Sequence, residues 1–286
     1  MSTAITEGRP VPGGETVRVE FEDGIAWVKL NRPDKRNAMS VAMAEDMNRV
    51  LDALEIDDRC GVVVLTGEGE AFSAGMDLKD FFRATDNVSD VERMRAYRAN
   101  RAWQWRTLIH YSKPTIAMVN GWCFGGAFTP LICCDLAIAS EDAVFGLSEI
   151  NWGVIPGGVV SKAISTLMND RKALYYVMTG EKFNGKVAEQ LGLVNEAVPA
   201  DRLRERTVEV ARVLLEKNPT VLRQARMAYK FAREMRWEEA AEYLTAKADQ
   251  TTFVDKERGR EKGLAQFLDE KTYRPGHGTY KREGDS

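Results

Sequence analysis

KPTIAMVNGWCFGGAFTP, residues 113–130, starts as a buried strand, turns on glycine and runs into an apolar helical pattern. The run around Thr115–Val119 is short, continuous and apolar, as in a strand covered on both faces. Helix is expected over 126–134. The same succession stands upstream: GVVVLTG (61–67) reads as a buried strand, and AFSAGMDL (71–78) follows with its own glycine before a helical pattern. Downstream, DLAIAS (135–140) and AVFGL (143–147) are two short strands, a helix is expected over 160–179, and LGLVNEAVP (191–199) holds another strand. Ahead of all this, VRVEFEDGIAWVKL (17–30) alternates around Asp23–Gly24, which predicts a hairpin of Val17–Phe21 with Ile25–Leu30. NRPDKRNAM (31–39) is a turn. Val41, Met43, Met47, Val50, Leu51 and Leu54 recur at helical spacing behind Ser40, a fitting N-cap. Strand pairs and helices thus recur coarsely, without a sharp sequence repeat, and predict an α/β core whose turns stack in layers.

The flanks differ from this core. Residues 1–16 are rich in Gly, Pro and polar side chains and read as a loose arm. From Asp201 to Leu268 there is helical patterning with a break at Pro219, and RPGHGTYKREGDS (274–286) reads as a frayed end. The expected organisation is an arm at 1–16, a core at 17–200 and a C-terminal helical region at 201–286.

Composition narrows the functional class. The 286 residues carry 40 basic and 43 acidic side chains, a net charge of −3, so no global polyanion partner is implied. The opening MSTAITEGRPVPGGE lacks an apolar signal region, and the longest apolar stretch, AFTPLICCDLAIA, is too short and too broken by Pro130 and Asp135 to span a bilayer. Cys60, Cys123, Cys133 and Cys134 form no CxxC pair. Reduced thiols and a cytoplasmic location are expected.

Several chemistries fail on their residues. His110 and His277 are the two histidines. His277 lies in the Gly-rich tail and His110 ahead of a buried strand, so a Ser-His-Asp triad has little support. Metal-ligand spacing is absent, as is a P-loop. GEGEAFSAG imitates a dinucleotide fingerprint, but Phe72 stands where the third glycine belongs.

Three features remain. The glycine loops at 71–78 and 121–130 each follow a buried strand. They are either tight turns only, or two sources of backbone N–H groups for an oxyanion hole. Glu149, in VFGLSEINWGVIPGG, is either a helix N-terminal acid favoured by the dipole or a carboxylate desolvated by Phe145, Ile150, Trp152 and Ile155 and tuned for proton transfer. Arg223, Arg226, Lys230, Arg233 and Arg236 share helical spacing, which suits a solvated or subunit-facing surface, a ligand phosphate or a nucleic acid. The aromatic interleaving that base stacking needs is thin.

LNRPDKRNAM, AFSAGMDL, KPTIAMVNGWCFGGA, CDLAIASEDAVFGLSEINWGVIPGG and LGLVNEAVP, in this order and spacing, resemble the crotonase (enoyl-CoA hydratase/isomerase) superfamily. The resemblance covers about residues 17–200, and the helical tail agrees in kind. It implies a spiral of ββα repeats, a C-terminal helical region that builds a homotrimer or a dimer of trimers, and acyl-CoA thioesters as substrates. It implies catalysis by the backbone N–H groups of Met76 and Gly126 together with the Glu149 carboxylate. Lys35, Ala74, Gly75, Asp77, Leu78 and Lys79 would line the CoA portion. Gly125, Ala127, Phe128, Thr129, Pro130 and Ser148 would be further substrate-binding positions. Simple hydratases of the superfamily carry a second glutamate where this chain has Thr129.

NGWCFGGAFTPL, FGLSEINWG, GMDLKDFFR and WQW (103–105) are similar to one subgroup, the hydroxycinnamoyl-CoA (feruloyl-CoA) hydratase-lyases. That similarity implies hydration of feruloyl-, p-coumaroyl- or caffeoyl-CoA and retro-aldol cleavage to a vanillin-type aldehyde and acetyl-CoA. No metal or redox cofactor is implied, since the thioester is the electron sink and coenzyme A belongs to substrate and product. Trp152 and Phe81 would be walls for the ring. Where the subgroup places tyrosines near the phenol, this chain has Phe81 and Thr245, with Tyr243 nearby. The alternatives are another crotonase hydratase or isomerase and, from a different class, a crotonase-fold RNA-binding protein using the arginine stripe.

Overall fold

The computed structural model describes residues 10–274, 276 and 278–282. Most of the expected arm, and His277, lie outside the described residues. Strands β1 (Val17–Glu22) and β2 (Ile25–Leu30) pair antiparallel, Val17 opposite Leu30 and Glu22 opposite Ile25. Asp23 and Gly24 turn between them with φ of 47° and 82°, the left-handed geometry that fits the twist of a two-residue hairpin.

From there the chain winds in turns, and each turn gives one long strand to a first sheet and one short strand to a second. The pairs are β3 (Val62–Gly67) with β4 (Ala71–Ser73), β5 (Thr115–Val119) with β6 (Trp122–Phe124), and β7 (Leu136–Ser140) with β8 (Val144–Gly146). The first sheet runs β1-β2-β3-β5-β7-β10, with β10 at Glu196–Val198, and is parallel from β2 onward. The second runs β4-β6-β8-β9, with β9 (Lys182–Asn184) antiparallel to β8. This is the layered ββα spiral that the sequence predicts.

The corners between paired strands are too tight for a side chain. A Cβ at Gly67 would lie 1.8 Å from the Ala71 carbonyl oxygen, and one at Gly121 would lie 2.0 Å from that of Glu70. Asn120 staples these corners by donating from Nδ2 to the Gly67 and Gly69 carbonyls at 3.0 and 2.8 Å. One turn is thereby locked onto the next.

The helix Val41–Glu55 packs on the first sheet through the predicted positions: Met43, Met47, Val50, Leu51 and Leu54 are all buried. Ser40 caps it by accepting from Met43 N–H at 3.1 Å. Two expectations need correction. The helix expected over 160–179 is two helices, Val160–Leu167 and Asp170–Thr179: the first ends at Met168, whose backbone is extended, and Asn169 caps the second by accepting from Arg171 N–H. Arg236 does not continue the arginine stripe. It precedes the helix Trp237–Val254, whereas Arg223, Arg226 and Lys230 lie on Pro219–Ala232 and Arg233 caps its end.

The chain resolves into a compact unit running to Ala211 and a second from Arg212. That division and the expected boundary at 200/201 bracket the start of the helix Leu203–Leu215. The second unit is helical, and it exposes Tyr229, Trp237 and Phe253. The four cysteines are buried and form no disulfide among the described residues.

Candidate active site

The loop after β4 approaches the loop after β6. Met39 forms a parallel bridge with Met76: Met39 N–H donates to the Gly75 carbonyl at 2.8 Å, and Asp77 N–H donates to the Met39 carbonyl at 3.0 Å. Successive peptides of an extended segment point to opposite sides, so the Met76 N–H turns away from Met39. A Cβ on Gly126 would meet Met76 Cγ at 3.0 Å and Met76 N at 3.5 Å. A Cβ on Gly75, where φ is +89°, would meet the Phe124 carbonyl oxygen at 2.6 Å and Gly126 N at 3.2 Å. The N–H groups of Met76 and Gly126 are therefore neighbours, and the glycines are what lets the loops close to this distance.

Glu149 completes this corner. It sits in a single 3₁₀ turn, Ser148–Trp152, which ends on Gly153 in the left-handed region at φ +83°. Its side chain is buried, and its Oε2 has no hydrogen-bond partner. A Cβ on Gly125, at φ +49°, would lie 2.8 Å from Glu149 Oε1. Burial raises the Glu149 pKa above the usual carboxylate value, opposed by a hydrogen bond from its own backbone N–H. The apolar neighbours expected to desolvate it contribute less than the sequence suggests: Ile155 is 77% exposed and Ile150 46%. The Gly125 loop also approaches it closely.

A cavity of about 490 Å³ opens on these groups. Its lining includes Ala74, Gly75, Met76, Leu78, Phe81, Gly125, Gly126, Thr129, Ser148, Glu149 and Trp152 among the expected residues. Ala127 and Phe128 stand behind it in the core, and Phe128 packs edge-on against Phe145 and Phe183. Pro130 is buried in the short helix Phe128–Cys133. Lys35 and Lys79 are exposed and outside the lining. Tyr243 and Thr245 belong to the second unit, on Trp237–Val254.

Asp77 holds the loop rather than lining the cavity. It accepts from Lys79 and Asp80 N–H at 2.9 and 2.7 Å and pairs with Arg32 at 2.8 Å; Arg32 also reaches Asp80 at 2.6 Å. Burial works to raise its pKa, but these donors together hold it below the ordinary aspartate value.

Another part of the lining had no site role in the sequence reading: Tyr97, Asn100, Arg101, and Gln104 and Trp105, which figure there only within WQW. Tyr97, Asn100, Arg101 and Gln104 fall at i, i+3, i+4 and i+7, one helical face, and that spacing was the available signal. Both Leu78–Arg83 and Ala102–Thr107 are wound as π-type turns, as Phe82 N–H donating to the Asp77 carbonyl shows. Such turns are frequent at functional sites, and here both carry cavity residues.

A match to the enoyl-CoA hydratase/isomerase family spans residues 20–274. The chain is 56% identical to a hydroxycinnamoyl-CoA hydratase-lyase from Pseudomonas fluorescens, over 94% of this chain and 97% of that one. It is 30% identical to a mitochondrial enoyl-CoA hydratase from Pongo abelii, over 86% of this chain and 82% of that one. Among solved structures, an enoyl-CoA hydratase from Bacillus anthracis superposes with a TM-score of 0.80 at 26% identity, covering 89% of this chain and 96% of the other. With paired glycine loops, one buried glutamate and this likeness along nearly its whole length, the chain belongs to the enoyl-CoA hydratase/isomerase family.

Proposed function

We propose that the chain hydrates a hydroxycinnamoyl-CoA thioester and then cleaves the adduct, releasing an aromatic aldehyde of vanillin type and acetyl-CoA. The observation that carries this reading is that Glu149 is the one carboxylate in the cavity lining among the described residues: it faces the glycine corner, and the position that could hold a second glutamate is Thr129, which is buried and lines the same cavity. The likeness to the Pseudomonas hydratase-lyase supports the same reading.

The thioester oxygen sits between the N–H groups of Met76 and Gly126. Glu149 takes a proton from water as its oxygen adds to Cβ, and the electron pair of the double bond moves to the thioester as an enolate held by the two donors. Glu149 returns that proton to Cα. In the second half-reaction Glu149 takes the proton of the new β-hydroxyl, the Cα–Cβ bond breaks, and its electron pair becomes the enolate of acetyl-CoA. Protonation of that enolate at Cα restores Glu149. Water is consumed once, and the thioester accepts the electron pair in both halves, so neither metal nor redox cofactor enters. A raised Glu149 pKa strengthens the base while leaving it ionised above that pKa, so kcat/KM falls on the acid side as pH drops through it.

The reading includes a homotrimer or a dimer of trimers, supported by the exposed Tyr229, Trp237 and Phe253 of the helical unit. It also includes residence in the cytoplasm. Among the described residues no helix is long and apolar enough to cross a membrane. Lys35 and Lys79, which are exposed, suit the CoA phosphates, and the reading of Tyr243 and Thr245 as substrate residues rests on the subgroup resemblance alone.

The test is product analysis. Feruloyl-CoA and enzyme should give aldehyde and acetyl-CoA in equal amounts. A β-hydroxy thioester as the sole product would assign hydration without cleavage.

A further inference from the structure

The lining given no site role in the sequence reading carries unsatisfied polar groups. Asn100 is 7% exposed, lines the cavity, and donates from Nδ2 to Met76 Sδ at 3.5 Å, while its Oδ1 is buried with no partner. An N–H set against the thioether fixes the amide orientation and leaves the oxygen as the free end. Trp105, on the same stretch of chain, also lines the cavity, and its Nε1 is buried with no partner. Gln104 between them is already engaged, donating to Met39 Sδ at 3.1 Å and Met76 Sδ at 3.5 Å. The ring of Tyr97 packs edge-on against Phe81 with centroids 5.0 Å apart, giving this part of the cavity an aromatic wall.

A buried acceptor and a buried donor without partners are costly in an apolar cavity unless a ligand satisfies them. A hydroxyl carries both functions: its O–H donates to an amide oxygen, and its oxygen accepts from an indole N–H. The aromatic wall suits a ring carrying that hydroxyl. Phe81, which cannot hydrogen bond, stands where a phenol-binding tyrosine was expected.

We infer that Asn100 Oδ1 and Trp105 Nε1 recognise the ring hydroxyl of the acyl group, and so set the preference for hydroxylated over unsubstituted aromatic thioesters. This rests on the proposed activity in taking the substrate to be an aromatic acyl-CoA. Asn100 reaches this role through a side chain that also touches Met76, whose N–H holds the thioester oxygen. Ring and thioester are therefore read from adjoining points of one loop-and-helix contact.

The test separates recognition from chemistry by measuring binding in a Glu149→Gln background. Dissociation constants are compared for 4-hydroxycinnamoyl-CoA and cinnamoyl-CoA. The parent should prefer the hydroxylated ester by about tenfold or more. Adding Asn100→Leu should abolish the preference by weakening the hydroxylated ester alone, while Asn100→Asp, which keeps an acceptor, should retain it. Trp105→Phe should reduce it about threefold to tenfold. Equal loss for both esters in Asn100→Leu and Trp105→Phe, or an unchanged preference in both, overturns the inference. Unsubstituted ester bound at parental affinity shows that a variant is folded; if Asn100→Leu fails this control, Trp105→Phe decides. Should the wild type release no aldehyde from a hydroxylated ester that it nevertheless prefers, the reaction assignment falls and the recognition assignment stands.

Discussion

The wall formed by Gly125, Gly126 and Glu149 is mostly main chain pressed against main chain, whereas the wall formed by Tyr97, Asn100, Gln104 and Trp105 is side chains presented along one stretch of helix. The first wall has no room to vary, since a methyl at Gly125 or Gly75 would strike the Glu149 carboxylate or the Phe124 carbonyl oxygen. The second has interchangeable parts. On the proposed reading this difference separates what the site does from what it chooses: backbone donors and one carboxylate would serve any thioester, and the helix face would select the acyl group. Substitutions in the first wall should lower turnover of every ester alike, and substitutions in the second should change the ratio between esters.

The sharpest way to break this comparison is at Glu149. Glu149→Gln should lower kcat by more than about a thousandfold on every ester while CoA-ester binding persists. The same variant sharpens the energetic account. A carboxyl whose folded pKa is raised contributes stability that is present below its unfolded pKa and lost as pH rises through the folded one. Above the raised folded value the ionised Glu149 is therefore a cost, and there Glu149→Gln should melt at an equal or higher temperature. A lower melting temperature would show that Glu149 also supports the fold.

Next in size, Gly125→Ala should lower kcat by about a hundredfold or more, because the added carbon displaces the carboxylate and occupies a left-handed backbone position. An effect confined to one ester would place Gly125 in the selecting wall instead.

Asp77→Ala tests the support of the loop. Removing the cap and the Arg32 partner should cost about 1–3 kcal/mol of stability by denaturant unfolding. In the wild type that contribution is present above the ordinary aspartate pKa and is lost as pH falls through the depressed folded value. The smallest effect is expected at Thr129. Thr129→Ala should change kcat by less than about tenfold, since its hydroxyl only hydrogen bonds to water or substrate in this mechanism. A collapse comparable to that of Glu149→Gln would make Thr129 a partner in proton transfer.

The same contrast governs what was legible in the sequence. The hairpin around Asp23–Gly24 and the helix behind Ser40 show because turn chemistry and apolar spacing repeat over enough residues to be read. Met76 and Gly126 are named by the crotonase resemblance, because glycine loops after buried strands read equally well as tight turns, and Glu149 stands out by its apolar neighbours. β4, β6 and β9 are three residues each, too short for alternation to show. The break at Asn169 was hidden because apolar residues keep helical spacing across it, although Asn-Asp is itself a capping signal. The π-type turns at 78–83 and 102–107 depend on a shift of hydrogen-bond register that leaves no mark in composition. Asn100 and Gln104 read as ordinary polar positions of a charged helix, and only the fold shows that they are buried against the two methionines.

The central claim is that one carboxylate serves both half-reactions, and supplying the β-hydroxy thioester directly to Glu149→Gln tests it. Release of aldehyde from the preformed adduct should be lost to the same extent as its formation from feruloyl-CoA. Cleavage of the adduct at a near wild-type rate would contradict the account and require a second base.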